Sequence, residues 1–298
     1  MMMENFEFNS SFGLRRGKKW LIKKAKANVM ILEGMEEHVS RYDKFALELN
    51  KAGYDVYSLD TFGQGENAPY DGVGIWPEDG FIKQVDIYAE LATELNKSGL
   101  PLYIFSHSMG SFMNQSLLER HPGIASKYCL CGSGGKNPIL GLGGLIARIV
   151  VTKKNWNKKA KLLNSLMFGN LSKSVKNAAT EYDWLSYNEE NVKTYIADPL
   201  CGFGPTNGFC LVFIQGMLTL YKKDNLNKIS KDASIFLIGG KEDPVTGMGS
   251  FIEQLEKQYR DLNVKEVSSK QYDHMRHEIL NEDKWMDVAN DVIEFFNR

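Results

Sequence analysis

The chain has 298 residues, 43% of them hydrophobic and 24% charged, which is the composition of an ordinary folded protein with a buried core. A formal net charge of −1 and a pI near 6.5 give no reason to expect a nucleic-acid or strongly acidic partner. The length suits one large α/β domain carrying an insertion better than two full domains.

The N-terminus, MMMENFEFNS, is acidic and polar where a secretory signal would need a basic start and an apolar run. The most apolar stretch, Ile139 to Val151, is interrupted by Gly141, Gly143, Gly144 and Arg148 and falls short of the roughly 20 residues that a spanning helix needs. A soluble, cytoplasmic protein is therefore expected. Cys129 and Cys131 alternate along a strand-like KYCLCG and read as buried thiols, and no set of ligands at metal-binding spacing is present. Lys153, Lys154, Lys158, Lys159 and Lys161 read as a solvated helix face, with attraction to an anionic lipid surface as the alternative.

Taken in chain order, Val29 to Leu32 predicts a strand ending at Glu33-Gly34. Tyr42, Phe45, Ala46 and Leu49 then recur at helical spacing up to Gly53. Asp55 to Asp60 is a second strand, followed by a glycine-containing loop. From Glu78 to Asn96, Phe81, Ile82, Val85, Tyr88, Leu91, Ala92 and Leu95 share one helical face. A strand at Leu102 to Phe105, a helix from Met109 to Arg120 and a strand at Lys127 to Cys131 continue the alternation. That order predicts a mostly parallel sheet with helices on both faces. The alternation stops between Gly132 and Phe209, a helix-like stretch carrying Trp156, Phe168, Tyr182, Trp184 and Tyr187. It resumes with a strand at Ser234 to Ile238, a helix at Phe251 to Tyr259, a strand at Asn263 to Val267 and a helix from Lys284 to Phe296. The expected organisation is a core made of residues 1–131 and 210–298, interrupted by a helical cap over residues 132–209.

Ser106-His107-Ser108-Met109-Gly110 lies between the third of these strands and an amphipathic helix, where a nucleophile elbow needs small residues on either side of its serine. Gly110 fits that pattern, and Ser106 stands where the first glycine would be. A serine needs a base, and of the five histidines, His274 and His277 lie in the loop after the last strand, where the order Ser…Asp/Glu…His puts the base. Glu242 and Asp243 follow the preceding strand, and either could orient that base.

Several of these segments resemble the α/β-hydrolase subfamily that contains monoacylglycerol lipases and bacterial lysophospholipases, also called serine aminopeptidase-like. Gly34 to Tyr42 is similar to its oxyanion loop, Asp60-Thr61-Phe62-Gly63-Gln64-Gly65 to its following turn, and Ser106 to Gly110 to its elbow. Gly240 to Val245 resembles the acid loop, Arg276 to Glu282 the histidine loop, and Tyr195 to Gly202 a segment of the insertion. The resemblance, which runs from about Asn28 to the C-terminus, implies an α/β-hydrolase fold with Ser108 as nucleophile, His277 as base and Asp243 as its orienting acid. It also implies an oxyanion hole built from the backbone N–H groups of Met35 and Met109, and a reaction without metal or organic cofactor. The implied substrate is a lysophospholipid or monoacylglycerol. A short-chain carboxylesterase, an aminopeptidase and a non-catalytic ligand-binding relative are the alternatives. Apolar segments at Ile139 to Leu145 and Leu162 to Phe168 could line an acyl pocket, and the insertion could touch a membrane surface. One departure stands out: the subfamily usually has His-Gly where this chain has Glu33-Gly34. A carboxylate there must be paired or neutral and directed away from the oxyanion hole, and Arg41 in the same loop is a candidate partner.

Overall fold

The computed structural model describes residues 2–169 and 171–298. At its centre is β3 (Ala27–Leu32), buried along its whole length. Val29 and Ile31 pack into the cluster on one face of the sheet, and Met30 and Leu32 into the cluster on the other. This is the strand pattern required of a parallel sheet covered on both sides. The remaining strands are β1 (Met2–Ser10), β2 (Gly13–Leu21), β4 (Tyr54–Leu59), β5 (Leu102–His107), β6 (Lys127–Cys131), β7 (Ser234–Gly240) and β8 (Glu266–Tyr272). They form one eight-stranded sheet in the order β1-β2-β4-β3-β5-β6-β7-β8. The sheet is parallel from β4 to β8, and β1 and β2 run antiparallel at one edge.

The helices are α1 (Asp43–Lys51), α2 (Ala68–Asp71), α3 (Gly80–Asn96), α4 (Met109–Arg120), α5 (Ile139–Val150) and α6 (Lys161–Phe168). They continue with α7 (Glu189–Ala197), α8 (Asn207–Met217), α9 (Lys223–Leu226), α10 (Ser250–Asp261) and α11 (Trp285–Asn297). Phe45 and Leu49 of α1 join Val288, Val292, Phe295 and Phe296 of α11 on one face of the sheet. On the other face, α3 and α4 pack with α10 and with α8, whose residues 207–217 run across the expected boundary at residue 209. No helix among the described residues is long and apolar enough to cross a membrane.

Three strands, β1, β2 and β8, differ from the sequence-based expectation. The β1–β2 hairpin has no counterpart in it, because GLRRGKKWL reads as a charged segment. Its charges are held at the sheet edge by partners distant in sequence or on the neighbouring strand: Arg15 by Asp71, Lys18 by Asp43, Arg16 by Glu7 and Lys19 by Glu4. Gly17 is required where β2 crosses β4, since a Cβ there would lie 2.1 Å from the Ser58 carbonyl oxygen. The last strand begins at Glu266 rather than Asn263, and its sequence EVSSKQY is polar because it forms the open edge of the sheet. The lysine cluster also differs: residues 153–157 form turns, Lys159 makes an isolated bridge to Thr206, and only Lys161 begins a helix.

The chain leaves β3 for β4 on one side and returns to β5 on the other. Ligands of open α/β sheets bind at such a reversal, beyond the carboxyl ends of the strands. The loop after β3 and the turn after β5 therefore meet there.

Candidate active site

Ser108 joins β5 to α4 with φ 48° and ψ −118°, a strained conformation for a non-glycine residue that costs on the order of 1–3 kcal/mol. Its N–H donates to the Cys131 carbonyl at 2.9 Å, and its carbonyl accepts from the Ser111 N–H at 2.8 Å. Gly110 allows α4 to approach β3, because a Cβ there would fall 2.4 Å from the Leu32 oxygen and 2.5 Å from that of Glu33. Ser106 does not loosen the turn. Its buried hydroxyl donates to the Cys129 carbonyl at 3.0 Å and accepts from Asn114 Nδ2 at 2.9 Å.

His277 and Asp243 come together although 34 residues apart, with Nδ1 2.9 Å from Oδ2 and both side chains buried. The other Asp243 oxygen accepts from the Val245 N–H at 2.8 Å, which fixes the carboxylate. Burial alone would lower the His277 pKa, but the charge and hydrogen bond of Asp243, helped by Glu278 and Glu37, leave it raised. His107, whose ring centroid is 4.7 Å from that of His277, is pushed the other way, to about 3, by burial and by His277 itself. The Trp184 ring, between β6 and β7 in the chain, has its centroid 5.2 Å from that of His277. A Cβ on Gly132 would lie 3.0 Å from His277 Cε1, so this glycine leaves room for the ring. The other two candidates lie elsewhere. His274 is 91% exposed, and Glu242 faces it and the Tyr187 hydroxyl.

Ser108, His277, Met35 and Met109 all line one cavity of about 690 Å³. No protein group among the described residues accepts a hydrogen bond from the N–H of Met35 or Met109. The loop carrying Met35 is held by residues whose importance is not legible in the sequence. Gln64 donates from Nε2 to Glu33 Oε1, the Gly34 carbonyl and the Glu37 carbonyl, and its Oε1 accepts from the Glu36 N–H at 2.7 Å. Glu37 accepts from the Gly34 N–H, the Tyr42 hydroxyl and Arg41. The only sequence signal for Gln64 is its place in the turn after β4, which does not reveal that its side chain reaches back across the loop.

Glu33 is fully buried. Its Oε1 accepts from the Thr61 N–H at 2.8 Å, the Thr61 hydroxyl at 3.2 Å and Gln64 Nε2 at 2.8 Å, so the group is anchored to the turn after β4. Its second oxygen has no hydrogen-bond partner among the described residues. Burial first, then the neighbouring Asp60 charge, hold its pKa well above the carboxylate range. Arg41 is not its partner. The guanidinium forms a bidentate pair with Glu278 and a further bond to Glu37. Burial would raise the Glu278 carboxyl, but Arg41 and Asn191 bring it down to about 2.

The segment from Asp183 to Asn191 grips the histidine loop. Glu282 accepts from the N–H groups of Arg276, Tyr187 and Asn188 and from the Ser186 hydroxyl, and the Glu278 N–H donates to Leu185. His38, Asp198 and Cys201 are the one trio with metal-ligand atom types gathered together among the described residues. There His38 already bonds Asp198 at 2.9 Å, tying the loop after β3 to the end of α7.

Much of the cavity lining is apolar. Ile139, Leu140, Leu142 and Ile146 of α5 and Leu163, Leu166 and Met167 of α6 line it, together with Phe213, Ile214 and Met217 of α8. Both expected acyl-lining segments thus contribute, but the Phe168 side chain lies outside the described residues.

A family model described as serine aminopeptidase, S33, matches residues 23–284. A monoacylglycerol lipase of Mycolicibacterium smegmatis is 24% identical over 272 residues, covering 89% of this chain and 85% of the relative. A monoglyceride lipase of Saccharomyces cerevisiae is 22% identical over 287 residues, covering 92% and 85%. Among solved structures, a thermostable carboxyl esterase from Bacillus coagulans superposes with a TM-score of 0.91 at 24% identity, covering 100% of this chain and 98% of that one. A soluble variant of the Saccharomyces cerevisiae monoglyceride lipase gives a TM-score of 0.74 at 18% identity, covering 100% and 95%. These structures establish the α/β-hydrolase fold.

Proposed function

Since this chain belongs to the serine aminopeptidase S33 family, we propose that it is a serine hydrolase of carboxylic esters in which Ser108 is the nucleophile, His277 the base and Asp243 its orienting acid. The observation that carries the reading is the opening of a strained Ser108 and a buried His277–Asp243 pair onto one largely apolar cavity. Ser108 Oγ attacks the ester carbonyl while His277 Nε2 takes its proton, and Asp243 stabilises the imidazolium. The N–H groups of Met35 and Met109 receive the oxyanion. His277 then protonates the departing alcohol, leaving an acyl group on Ser108. A water deprotonated by His277 attacks that acyl group, and His277 returns the proton to Ser108 Oγ as the acid is released.

The substrate reading is a single-chain lipid ester, a monoacylglycerol or lysophospholipid. A cavity of about 690 Å³ is within the usual range for one small ligand, and its apolar lining suits one acyl chain. In this reading residues 132–209 act as a cap. Ile139, Leu142, Leu145 and Ile149 of α5 and Leu162 and Leu166 of α6 are exposed, with exposed lysines between the two helices. That combination supports transient contact between the cap and a lipid surface. Four free cysteines accord with a cytoplasmic location.

Labelling by a fluorophosphonate and a chain-length series of glycerol esters with an amide control test the reading. Rapid labelling that requires Ser108, with rates rising toward medium and long acyl chains, is expected. A preference for acetyl and propionyl esters would instead select the short-chain carboxylesterase, faster amide cleavage the aminopeptidase, and absence of labelling the non-catalytic relative.

A further inference from the structure

The hydrolase reading leaves open what alcohol the cavity accepts, and Glu36 bears on that choice. It follows Met35 directly and holds φ 58°, a conformation that side chains other than glycine rarely adopt. Four contacts keep it there. Its N–H donates to Gln64 Oε1 at 2.7 Å, and its carbonyl accepts from the Gly202 N–H and the Tyr195 hydroxyl, each at 3.0 Å. Its Oε2 accepts from the Gly204 N–H at 3.1 Å, the one protein hydrogen bond its carboxylate receives among the described residues. The residue lines the cavity beside the Met35 N–H.

The charges around the cavity are unbalanced. Glu36, Glu37, Glu181 and Glu278 line it, whereas among the described residues the only lining lysine or arginine is Lys161, at the start of α6. Arg41 offsets one of the two charges of Glu37 and Glu278, and Lys159, which keeps its charge while bonded to the carbonyls of Phe203 and Gly204, opposes Glu36 only in part. In the substrate reading above the acyl chain takes the apolar lining from α5, α6 and α8. The alcohol, protonated by His277, then takes the remaining lining, which holds Trp184 and the carboxylates.

Resting on the hydrolase reading above, we propose that Glu36, supported by Glu181, is a specificity-determining residue that makes the alcohol-binding part of the cavity accept neutral or cationic groups and reject anionic ones. A monoacylglycerol then outcompetes a lysophospholipid whose net charge is negative. Burial raises the Glu36 carboxyl, Gly204 and Lys159 oppose it, Glu181 adds to it, and the result is about 7. The other groups acting with it stay neutral through this range: Tyr182 and Cys210 are each pushed up to about 12, and Tyr195 well above its ordinary value. Discrimination against an anionic alcohol should therefore grow as pH rises through 7, where Glu36 becomes charged.

The test compares two substrate pairs that share an acyl chain: decanoylglycerol with decanoyl lysophosphatidylglycerol, and 4-nitrophenyl butyrate with its 3-carboxy derivative. The ratio of kcat/KM, neutral over anionic, cancels the titration of His277, which is common to both. It should exceed one and rise about tenfold between pH 6 and 8, the effect of one unit charge at ~6 Å in a partly aqueous mouth. Glu36→Gln should flatten that rise, and added salt should weaken it in the wild type. A ratio that is independent of pH and salt in the wild type, or unchanged by Glu36→Gln, overturns the proposal. Should Glu36→Gln fail to fold, Glu181→Gln, which removes a charge that raises the Glu36 carboxyl, should shift the rise to lower pH, and an unshifted rise without salt dependence in the wild type overturns the proposal. If neither decanoyl lipid is hydrolysed, the lipid-substrate reading fails, while the chromogenic pair still tests Glu36.

Discussion

Glu33→Gln tests whether the buried acid beside the oxyanion loop carries a proton. Ionised, Glu33 would sit fully buried near Asp60, with one oxygen unpartnered among the described residues. Such a charge costs several kcal/mol even after relaxation. Protonated, it keeps its bonds from Thr61 and Gln64 and offers its proton to Asp60, whose own pKa burial also raises. Glutamine reproduces that arrangement, its Oε1 accepting from Thr61 and Gln64 and its N–H₂ taking the place of the O–H. The rate on simple esters should then stay within about threefold of wild type, under 1 kcal/mol. Stability should behave differently. A group whose folded pKa is raised contributes stability that is complete below its unfolded pKa and is lost as pH rises through the folded value. The wild type should therefore lose up to about 1.4 kcal/mol per pH unit from this group above pH ~4.5, a slope absent from Glu33→Gln. Urea melts of both proteins across pH 5 to 8 measure the slope, and infrared difference spectra should show the loss of one protonated carboxyl band. Parallel pH–stability curves together with a large rate loss would refute the neutral Glu33. Glu33→His should also be tolerated, and a large rate gain in that variant would mean that the carboxyl restrains the oxyanion hole.

Three further outcomes follow from the site. Ser108→Ala should reduce ester hydrolysis by at least ~1,000-fold in steady-state assays with an unchanged melting temperature, and activity within tenfold of wild type would remove Ser108 as nucleophile. His277→Ala should be as damaging, whereas His274→Ala, at an exposed position, should be mild; the reverse ranking would reassign the base. The base must be neutral to accept a proton, and its pKa is raised, so kcat/KM should climb with pH through a midpoint above the ordinary histidine value of ~6.5. Asp243→Asn should lower that midpoint and cost about 10,000-fold in kcat.

Much of the core was legible because its signals are local. The helix predicted from Met109 to Arg120 and the strand from Lys127 to Cys131 occupy those same residues. A buried strand needs a short apolar run, and a helix packed on a sheet needs an apolar face. The hairpin at residues 2–21 was not legible, because its charges are neutralised by residues such as Asp71 and Asp43 that no local pattern connects to it.

Ser108 could be singled out from five consecutive residues, since a strand–turn–helix elbow writes its steric needs into its neighbours. Glu242 and Asp243, like His274 and His277, are chemically equivalent as sequence, and only family resemblance separated them. Folding decides between them through backbone direction: one acid turns inward to 2.9 Å from His277, while its neighbour faces solvent and His274. The departure at Glu33 was visible in the sequence, but its partners were not. Thr61 and Gln64 lie 28 and 31 positions away and meet Glu33 only because the loops after β3 and β4 converge at the same end of the sheet. Residue type and local period thus determined most of the buried elements and singled out the elbow serine, whereas the choice of candidate acid and histidine, their partners, burial and protonation arise from contacts that exist only once distant loops are brought together.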